Sequence, residues 1–294
     1  MSIKKKIAGI VRGGLTLISP KLNNAVCYRI KFGRRMDLEH PVTLNDKVLW
    51  LKFHTYKDNP VVKQCADKLR VRDYLTEHGF GEYLNDLLDV YYDVDEIDWD
   101  RLPDRFALKL NVGCACNLIV SDRKQLDVRD AERTMRKWMR SNYWMGWAEL
   151  QYKGVKRCIL AEKYLGSDSG ELPEDYKFFC FNGKVRYVMV CLDREIGKKA
   201  VFYYFDRNWT KMPFSRGYLN NPDRVIPKPE NIDEAFDVAE RMAAGFPFVR
   251  VDLYIVGGKI IFGEYTFTPS AGLDKSRMPQ TDRILGELLE LPMP

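Results

Sequence analysis

The stretch FPFVRVDLYIVGGKIIFGEYTF, residues 246–267, limits the fold more than any other part of the chain. Val, Ile, Phe and Tyr dominate it and a Gly257-Gly258 pair interrupts it, which predicts two antiparallel strands joined by a tight loop. Side chains alternate faces along a strand. Val249, Val251, Leu253 and Ile255 therefore form an apolar face, while Arg250, Asp252 and Tyr254 share the other. Charges within such strands need a reason.

Whether Glu264 joins Asp252 depends on the loop. A two-residue Gly257-Gly258 turn pairs Val256 with Lys259 and sends the two carboxylates to opposite faces. A three-residue loop over 256–258 with a bulge puts them on one face, with Glu264 diagonal to Asp252 and Thr266 beside them. A functional reading requires the odd-length loop. Two carboxylates meeting there repel unless a cation lies between them, and Mg²⁺ suits, since one or two carboxylates commonly hold it and phosphate oxygens and water complete it. Arg250 is then placed to neutralise a phosphoryl group. The competing reading is a structural Arg250–Asp252 pair with an exposed Glu264.

The 294 residues are 46% hydrophobic, enough for sizeable cores in one large domain or in two or three tightly joined subdomains. No window approaches eighteen consecutive apolar residues and no secretion signal opens the chain, so a cytoplasmic protein is expected. Seven scattered cysteines argue against a disulfide framework. The net charge of +6 is modest and the charges are interleaved, which excludes nucleic acid as a partner. The exception is MSIKKKIAGIVRGGLTLISPKL, where Lys4, Lys5, Lys6 and Arg12 alternate with Ile3, Ile7, Ile10, Val11 and Leu15. It reads either as a core-docked or frayed helix weakened by Gly9, Gly13 and Gly14, or as peripheral membrane contact through residues 1–18.

Thr43 with Asp46 predicts a helix from Leu44 to about Tyr56, and Asn59-Pro60 predicts a second one closed by Gly79. The acidic run 91–104 reads as a connection. Its Asp93/Asp95 and Asp98/Asp100 pairs resemble the metal-binding acids of some sugar transferases. RFALKLNV, residues 105–112, alternates cleanly and projects Lys109 away from Phe106, Leu108 and Leu110. GCACN follows as a short loop of small residues, LIVSD resumes an extended run, and Asp127 caps a helix to about Ser141. Residues 157–165 read as a strand, and DYKFFCFNGKVRYVMV as a hairpin around Asn182-Gly183. Asn231, with Glu234 at N3, predicts a helix to Gly245, and a last helix covers 280–291.

Taken together, the strand lysine, the small-residue loop, AEKYL, DYKFF and RVD…GEYTFTP resemble the ATP-grasp superfamily. YKFFCFNGK, GFPFVRVD and FGEYTF, with TLNDKVLWLK and ADKLRVRDYL, narrow the likeness to its TupA-like family, named after teichuronopeptide synthesis, over residues 40–290. The resemblance implies an α+β, ATP-grasp fold in which two α+β subdomains clamp a nucleotide. It divides the chain into a basic N-terminal segment (1–40), a helical or acceptor region (41–105), a small subdomain with the phosphate loop (106–165) and a C-terminal subdomain with the metal hairpin (166–294).

It also implies a carboxylate-amine ligase using ATP and Mg²⁺, acting in surface polysaccharide or capsule biosynthesis on a carboxylate-bearing sugar or glycan and an amine. Lys109 matches the phosphate-contacting lysine, Gly113 and Asn117 the phosphate loop, and Glu162, Lys163 and Leu165 the hinge that reads adenine. Asp175 matches the acid near ribose, and Lys177 adds a cationic contact. Asp252 and Glu264 match the metal carboxylates, Arg250 the catalytic arginine, and Thr266 replaces the usual asparagine. The family's His and Gly/Ser-rich cover are here Val112 and Cys114-Ala115-Cys116, a departure that also suits a non-catalytic assembly protein. Two other readings are a glycosyltransferase using Asp93/Asp95 and a metal or redox role for Cys114 and Cys116; two thiols are too few for a soft metal.

Overall fold

The computed structural model describes residues 3–168, 171–193 and 200–292, with side chains from residue 7 onward. The side chains of the basic stripe Lys4, Lys5 and Lys6 thus lie outside the described ones. The helices are α1 (Ile3–Ile18), α2 (Pro20–Phe32), α3 (Leu44–His54), α4 (Pro60–Ala66), α5 (Arg70–Glu77), α6 (Val128–Arg140), α7 (Tyr143–Trp147), α8 (Arg216–Asn220), α9 (Ile232–Met242) and α10 (Pro279–Glu287). The strands are β1 (Leu87–Tyr91), β2 (Phe106–Leu110), β3 (Asn117–Val120), β4 (Ile159–Lys163), β5 (Asp175–Phe181), β6 (Lys184–Leu192), β7 (Val201–Phe205), β8 (Lys211–Met212), β9 (Phe248–Val256) and β10 (Lys259–Thr266). Two compact units result. The first holds Met1–Asn59, Met145–Leu150 and Glu174–Pro294, and the second Pro60–Trp144 and Gln151–Pro173.

The first unit is built on an antiparallel sheet in the order β10-β9-β5-β6-β7-β8. One face is apolar because Phe178, Cys180, Val249, Val251 and Leu253 alternate inward. Helix α9 covers it, with the Phe236 ring edge-on to Phe178 and the Cys180 thiol reaching the Ala239 carbonyl. Asn231 was expected to cap α9. Its amide instead donates to the Gly258 carbonyl at the tip of the β9–β10 hairpin, and no side chain caps the helix.

That hairpin corrects the loop expectation. Val256 pairs with Lys259, so the turn has two residues, with Gly257 (φ 55°) and Gly258 (φ 75°) in the left-handed region such a turn demands. By parity alone this sends Asp252 and Glu264 to opposite faces. A bulge between Phe262 and Glu264 inserts one residue and flips every side chain after it. Glu264 then lies directly opposite Asp252, not diagonal to it, and Thr266 opposite Arg250. The extra residue is Gly263, where a Cβ would stand 3.0 Å from the Asp252 carbonyl oxygen and 3.1 Å from the Tyr254 ring.

The helices of the first unit enclose buried polar groups. Thr43 caps α3 by accepting from the Asp46 amide. Lys52, 1% exposed, donates to Asn24 Oδ1 (2.8 Å), the Trp147 carbonyl (2.7 Å) and the Ala271 carbonyl (3.1 Å). Burial lowers its ammonium to about 8, against the pull of Glu149. Buried Arg277 joins Asp274 (2.8 Å), Asp282 (2.9 Å) and Asn45 (3.1 Å), tying α3 to α10. The last helix stops at Glu287, four residues before the expected end.

The second unit has its own antiparallel sheet, in the order β1-β4-β2-β3. Phe106, Leu108 and Leu110 of β2 pack with Ala131, Met135, Trp138 and Met139 of α6, as alternation and helical periodicity require. Asp127 caps α6 by accepting from the Asp130 amide. The single helix expected from Pro60 to Gly79 is two helices. Asp67 breaks it, its Oδ1 accepting from the Leu69 amide (2.9 Å) and from the Asn111 side chain (3.0 Å).

Candidate functional site

In the first unit three strands bring charged side chains together on the sheet face opposite Phe178 and Val251. Register sets Lys177 of β5 beside Asp252 of β9, and Asp252 beside Glu264 of β10. Lys177 Nζ donates to Asp252 Oδ2 at 2.6 Å and lies 2.5 Å from Asp175 Oδ2. Arg250 donates through Nε to Asp252 Oδ1 and through NH2 to Oδ2, both at 2.7 Å. The same NH2 donates to Thr266 Oγ1 at 3.1 Å, and that hydroxyl donates to Glu264 Oε1 at 3.5 Å. The six side chains form one connected set.

Asp252 is 2% exposed and Glu264 half-buried. Burial alone would lower the Lys177 ammonium and the Arg250 guanidinium, but Asp252 and Asp175 together, joined at Arg250 by Glu264, outweigh it and hold both above their ordinary values. Burial pushes the Asp252 carboxyl up, and Arg250 and Lys177 oppose that. Two touching cations, each holding its proton more tightly, mark Asp252 as ionised. Three carboxylates (Asp175, Asp252, Glu264) thus share this face with the cations of Lys177 and Arg250.

In the second unit Lys109 projects from β2 away from the core, and its Nζ donates to Glu162 Oε2 of β4 at 2.6 Å. Arg72 NH1 lies 3.9 Å from the other oxygen of Glu162. The loop between β2 and β3 turns through Gly113 (φ 77°) and Ala115 (φ 59°). A Cβ at Gly113 would strike the Tyr143 ring at 2.5 Å, and the exposed Cys114 thiol is 2.9 Å from the Tyr143 hydroxyl. Asn117 is exposed at the start of β3. Val112 is buried in the sheet core. At the end of β4, Lys163 pairs with Asp86 at 3.1 Å, and just beyond the strand Leu165 is half-buried.

Lys68 escaped the sequence reading. Its Nζ donates to the Gly113 carbonyl at 2.7 Å and its backbone amide to the Asn111 carbonyl at 2.9 Å, so the break between α4 and α5 delivers an ammonium to the small-residue loop. The Asp67-Lys68 dipeptide carried the only local signal, an acid able to stop one helix and cap the next.

The rival acids have other partners. Asp93 accepts from the Asp95 amide, Asp95 pairs with Arg136 at 2.6 Å, and Asp98 accepts from the Asp100 amide. Among the described residues no three His, Cys, Asp or Glu side chains gather into a metal cage, and burial raises the Cys116 thiol, which disfavours the thiolate a soft metal needs.

A sequence profile described as TupA-like ATPgrasp matches residues 46–290. The chain belongs to this family. Its fold is therefore the α+β ATP-grasp fold. Among solved structures, D-alanine–D-alanine ligase from Bacillus anthracis complexed with ATP is 14% identical, with 77% of this chain and 65% of that one covered and a TM-score of 0.46. D-alanyl-alanine synthetase A from Vibrio cholerae is 11% identical, with 76% and 61% covered and a TM-score of 0.44. The ATP-grasp ligase PsnB complexed with minimal precursor, Mg and ADP is 13% identical, with 76% and 58% covered and a TM-score of 0.39. The chain thus spans 58–65% of the length of these proteins. No curated protein sequence matches it.

Proposed function

We propose that this TupA-like ATP-grasp protein is an ATP-dependent carboxylate-amine ligase that modifies a uronic acid or similar carboxylate of a bacterial surface polysaccharide. The observation that carries this reading is the set of charged side chains around Asp252 and Glu264, on the strand pair that bears the family's RVD and GEYTF segments.

The residues present suit Mg²⁺. Glu264 and Asp252 would hold the ion with the Thr266 hydroxyl nearby, and a full protein cage is unnecessary because Mg²⁺ keeps waters and phosphate oxygens as ligands. When bound, the ion would neutralise phosphate charge. Lys109 and Lys68 would contact phosphate, aided by backbone N–H groups near Gly113 and Asn117. The backbone from Glu162 through Lys163 to Leu165 would read adenine, with Asp175 toward the ribose. Arg250, held rigidly on Asp252, would face the transferring phosphoryl group with its charge already oriented. Lys177 would hold Asp252 ionised, so that its charge persists between turnovers.

In the chemistry proposed, a substrate carboxylate oxygen bonds to the γ-phosphorus of ATP and the bond to the β,γ-bridging oxygen breaks, its electron pair leaving on ADP. The amine nitrogen then attacks the acyl carbon of the acyl phosphate, phosphate departs with the electron pair of the C–O bond, and the nitrogen loses a proton to water. No protein nucleophile is required, and catalysis is positioning and electrostatics. The test is a magnesium-dependent ADP-release screen of uronic acids and glycan fragments with amines. Release that requires both a carboxylate and an amine and is lost in Glu264→Gln supports the reading. Nucleotide binding with no release for any pair supports an assembly role instead.

A further inference from the structure

The two N-terminal helices expose most of their aliphatic residues. On the side turned into the first unit Tyr28 of α2 joins Leu49, Phe53 and Leu273, and beside it polar residues are enclosed: Thr16, Asn23 and Asn24 are buried. Thr16 Oγ1 donates to the Met145 carbonyl (2.7 Å), Asn23 Nδ2 to Thr16 Oγ1 (2.6 Å) and Asn24 Nδ2 to the Trp147 carbonyl (3.1 Å), while Asn24 Oδ1 accepts from Lys52. On the side turned to water stand Ile7, Ile10, Val11, Leu17 and Ile18 of α1 and Leu22, Val26 and Ile30 of α2. Ile10, Ile18 and Ile30 are 75%, 76% and 80% exposed. The spacings 7, 10, 11, 17, 18 and 22, 26, 30 keep each set on one helical face. Soluble helices put such a stripe against the core.

Charge specifies what the stripe meets. Residues 1–36 contain nine Lys and Arg and no Asp or Glu, whereas the other 258 residues carry 38 Lys and Arg against 41 Asp and Glu. The positive balance of the whole chain is therefore concentrated here. Lys21, Arg29 and Arg35 are exposed along and just beyond the apolar stripe. Among the described residues no helix is long and apolar enough to cross a membrane. An apolar, cation-flanked helical face too short to span fits a bilayer interface, where acyl chains take the Ile and Leu side chains and anionic headgroups take the Lys and Arg.

We infer that the α1–α2 hairpin docks the protein on an anionic phospholipid surface. The hairpin lies outside the 46–290 family match, so the inference does not rest on the ligase reading. It goes beyond the helix of residues 1–18 considered from sequence alone, because α2 supplies part of the apolar face and the polar contacts beneath it fix the outward orientation.

The test is flotation of the full chain with vesicles of phosphatidylcholine alone and of phosphatidylcholine mixed with phosphatidylglycerol. The chain is expected to float with the mixed vesicles and not with phosphatidylcholine alone, with binding weakened by salt. Ile18→Glu combined with Ile30→Glu is expected to reduce binding by at least about tenfold at unchanged melting temperature, since both side chains stand in water. Failure to float with either vesicle, or flotation unaffected by the two substitutions, overturns the inference. A dimer in light scattering that these substitutions dissociate, without vesicle binding, assigns the face to a second copy of the chain and also overturns it. The comparison of the two vesicle types on the unaltered chain decides the matter even if a variant misfolds.

Discussion

The β5–β9–β10 face and the α1–α2 hairpin break the same rule in opposite directions. The first buries charge within a sheet, and the second exposes a broad apolar stripe to water. What separates them is where the compensation comes from. Asp252 meets Arg250 and Lys177 inside the chain, whereas Ile10, Ile18 and Ile30 stand largely in water. An inversion balanced internally points to a site held ready for a charged ligand, while an inversion left open to solvent points to an external partner. Substitutions in the first region should therefore register in stability and activity, and in the second almost only in association.

Arg250→Met should give the largest effect. It leaves Asp252 with Lys177 alone in a buried setting, and a loss of about 3–5 kcal/mol in denaturant unfolding is expected. A loss below about 1 kcal/mol would mean the face is better solvated than the contacts indicate. Glu264→Gln should leave stability within about 1 kcal/mol while lowering magnesium-dependent turnover about 100-fold or more, measured as ADP release. Together the two separate the charges that hold the face from the one that serves the ligand.

Lys52, the polar anchor beneath the hairpin, predicts a pH signature. Its folded value of about 8 lies below its ordinary 10.5, so between these the unfolded chain binds more protons than the folded one. Stability from this group is thus constant below about pH 8 and rises as pH climbs toward 10.5, by up to about 1.4 kcal/mol per pH unit. Subtracting unfolding curves of Lys52→Met from those of the unaltered chain should isolate that rise. Gly263→Ala should cost about 1–2 kcal/mol, because the new Cβ meets the Asp252 carbonyl oxygen at the bulge. Ile18→Glu should change stability by no more than about 0.5 kcal/mol, the smallest effect and the sharpest contrast with Arg250→Met.

The local features of this fold were readable in the sequence. Asp127 and Thr43 announce helix starts through contacts only three residues long, and the alternation of FALKL turns Lys109 away from the core. The hairpin shows where locality ends. The Gly257-Gly258 pair makes the two-residue turn that hairpin rules favour, and the shared face of Asp252 and Glu264 comes from a bulge at Gly263, the fifth residue of β10, rather than from the loop. A lone glycine inside a strand run is the one sequence hint of a bulge at Gly263, but the crowding that requires it arises from Asp252 and Tyr254 across the strand pair.

The contacts of Lys177 and Lys68 were hidden for a similar reason. Alternation puts Lys177 beside Asp175, but its bond to Asp252 depends on β5 pairing with β9, 75 residues away. Lys68 reaches Gly113 because Asp67, held by Asn111, interrupts a helix that periodicity alone would continue. The α1–α2 pair was obscured by its inverted pattern: an apolar stripe suggests a docked helix, and only the buried Thr16, Asn23 and Asn24 reveal that the stripe faces out.

Calorimetric titration of the full chain with a non-hydrolysable ATP analogue, in the presence and absence of Mg²⁺, tests the claim that Asp252 and Glu264 form a nucleotide-linked metal site. Binding should tighten at least about tenfold with Mg²⁺ in the unaltered chain and lose that gain in Glu264→Gln. Equal affinity with and without Mg²⁺, or a magnesium effect that survives Glu264→Gln, would contradict it.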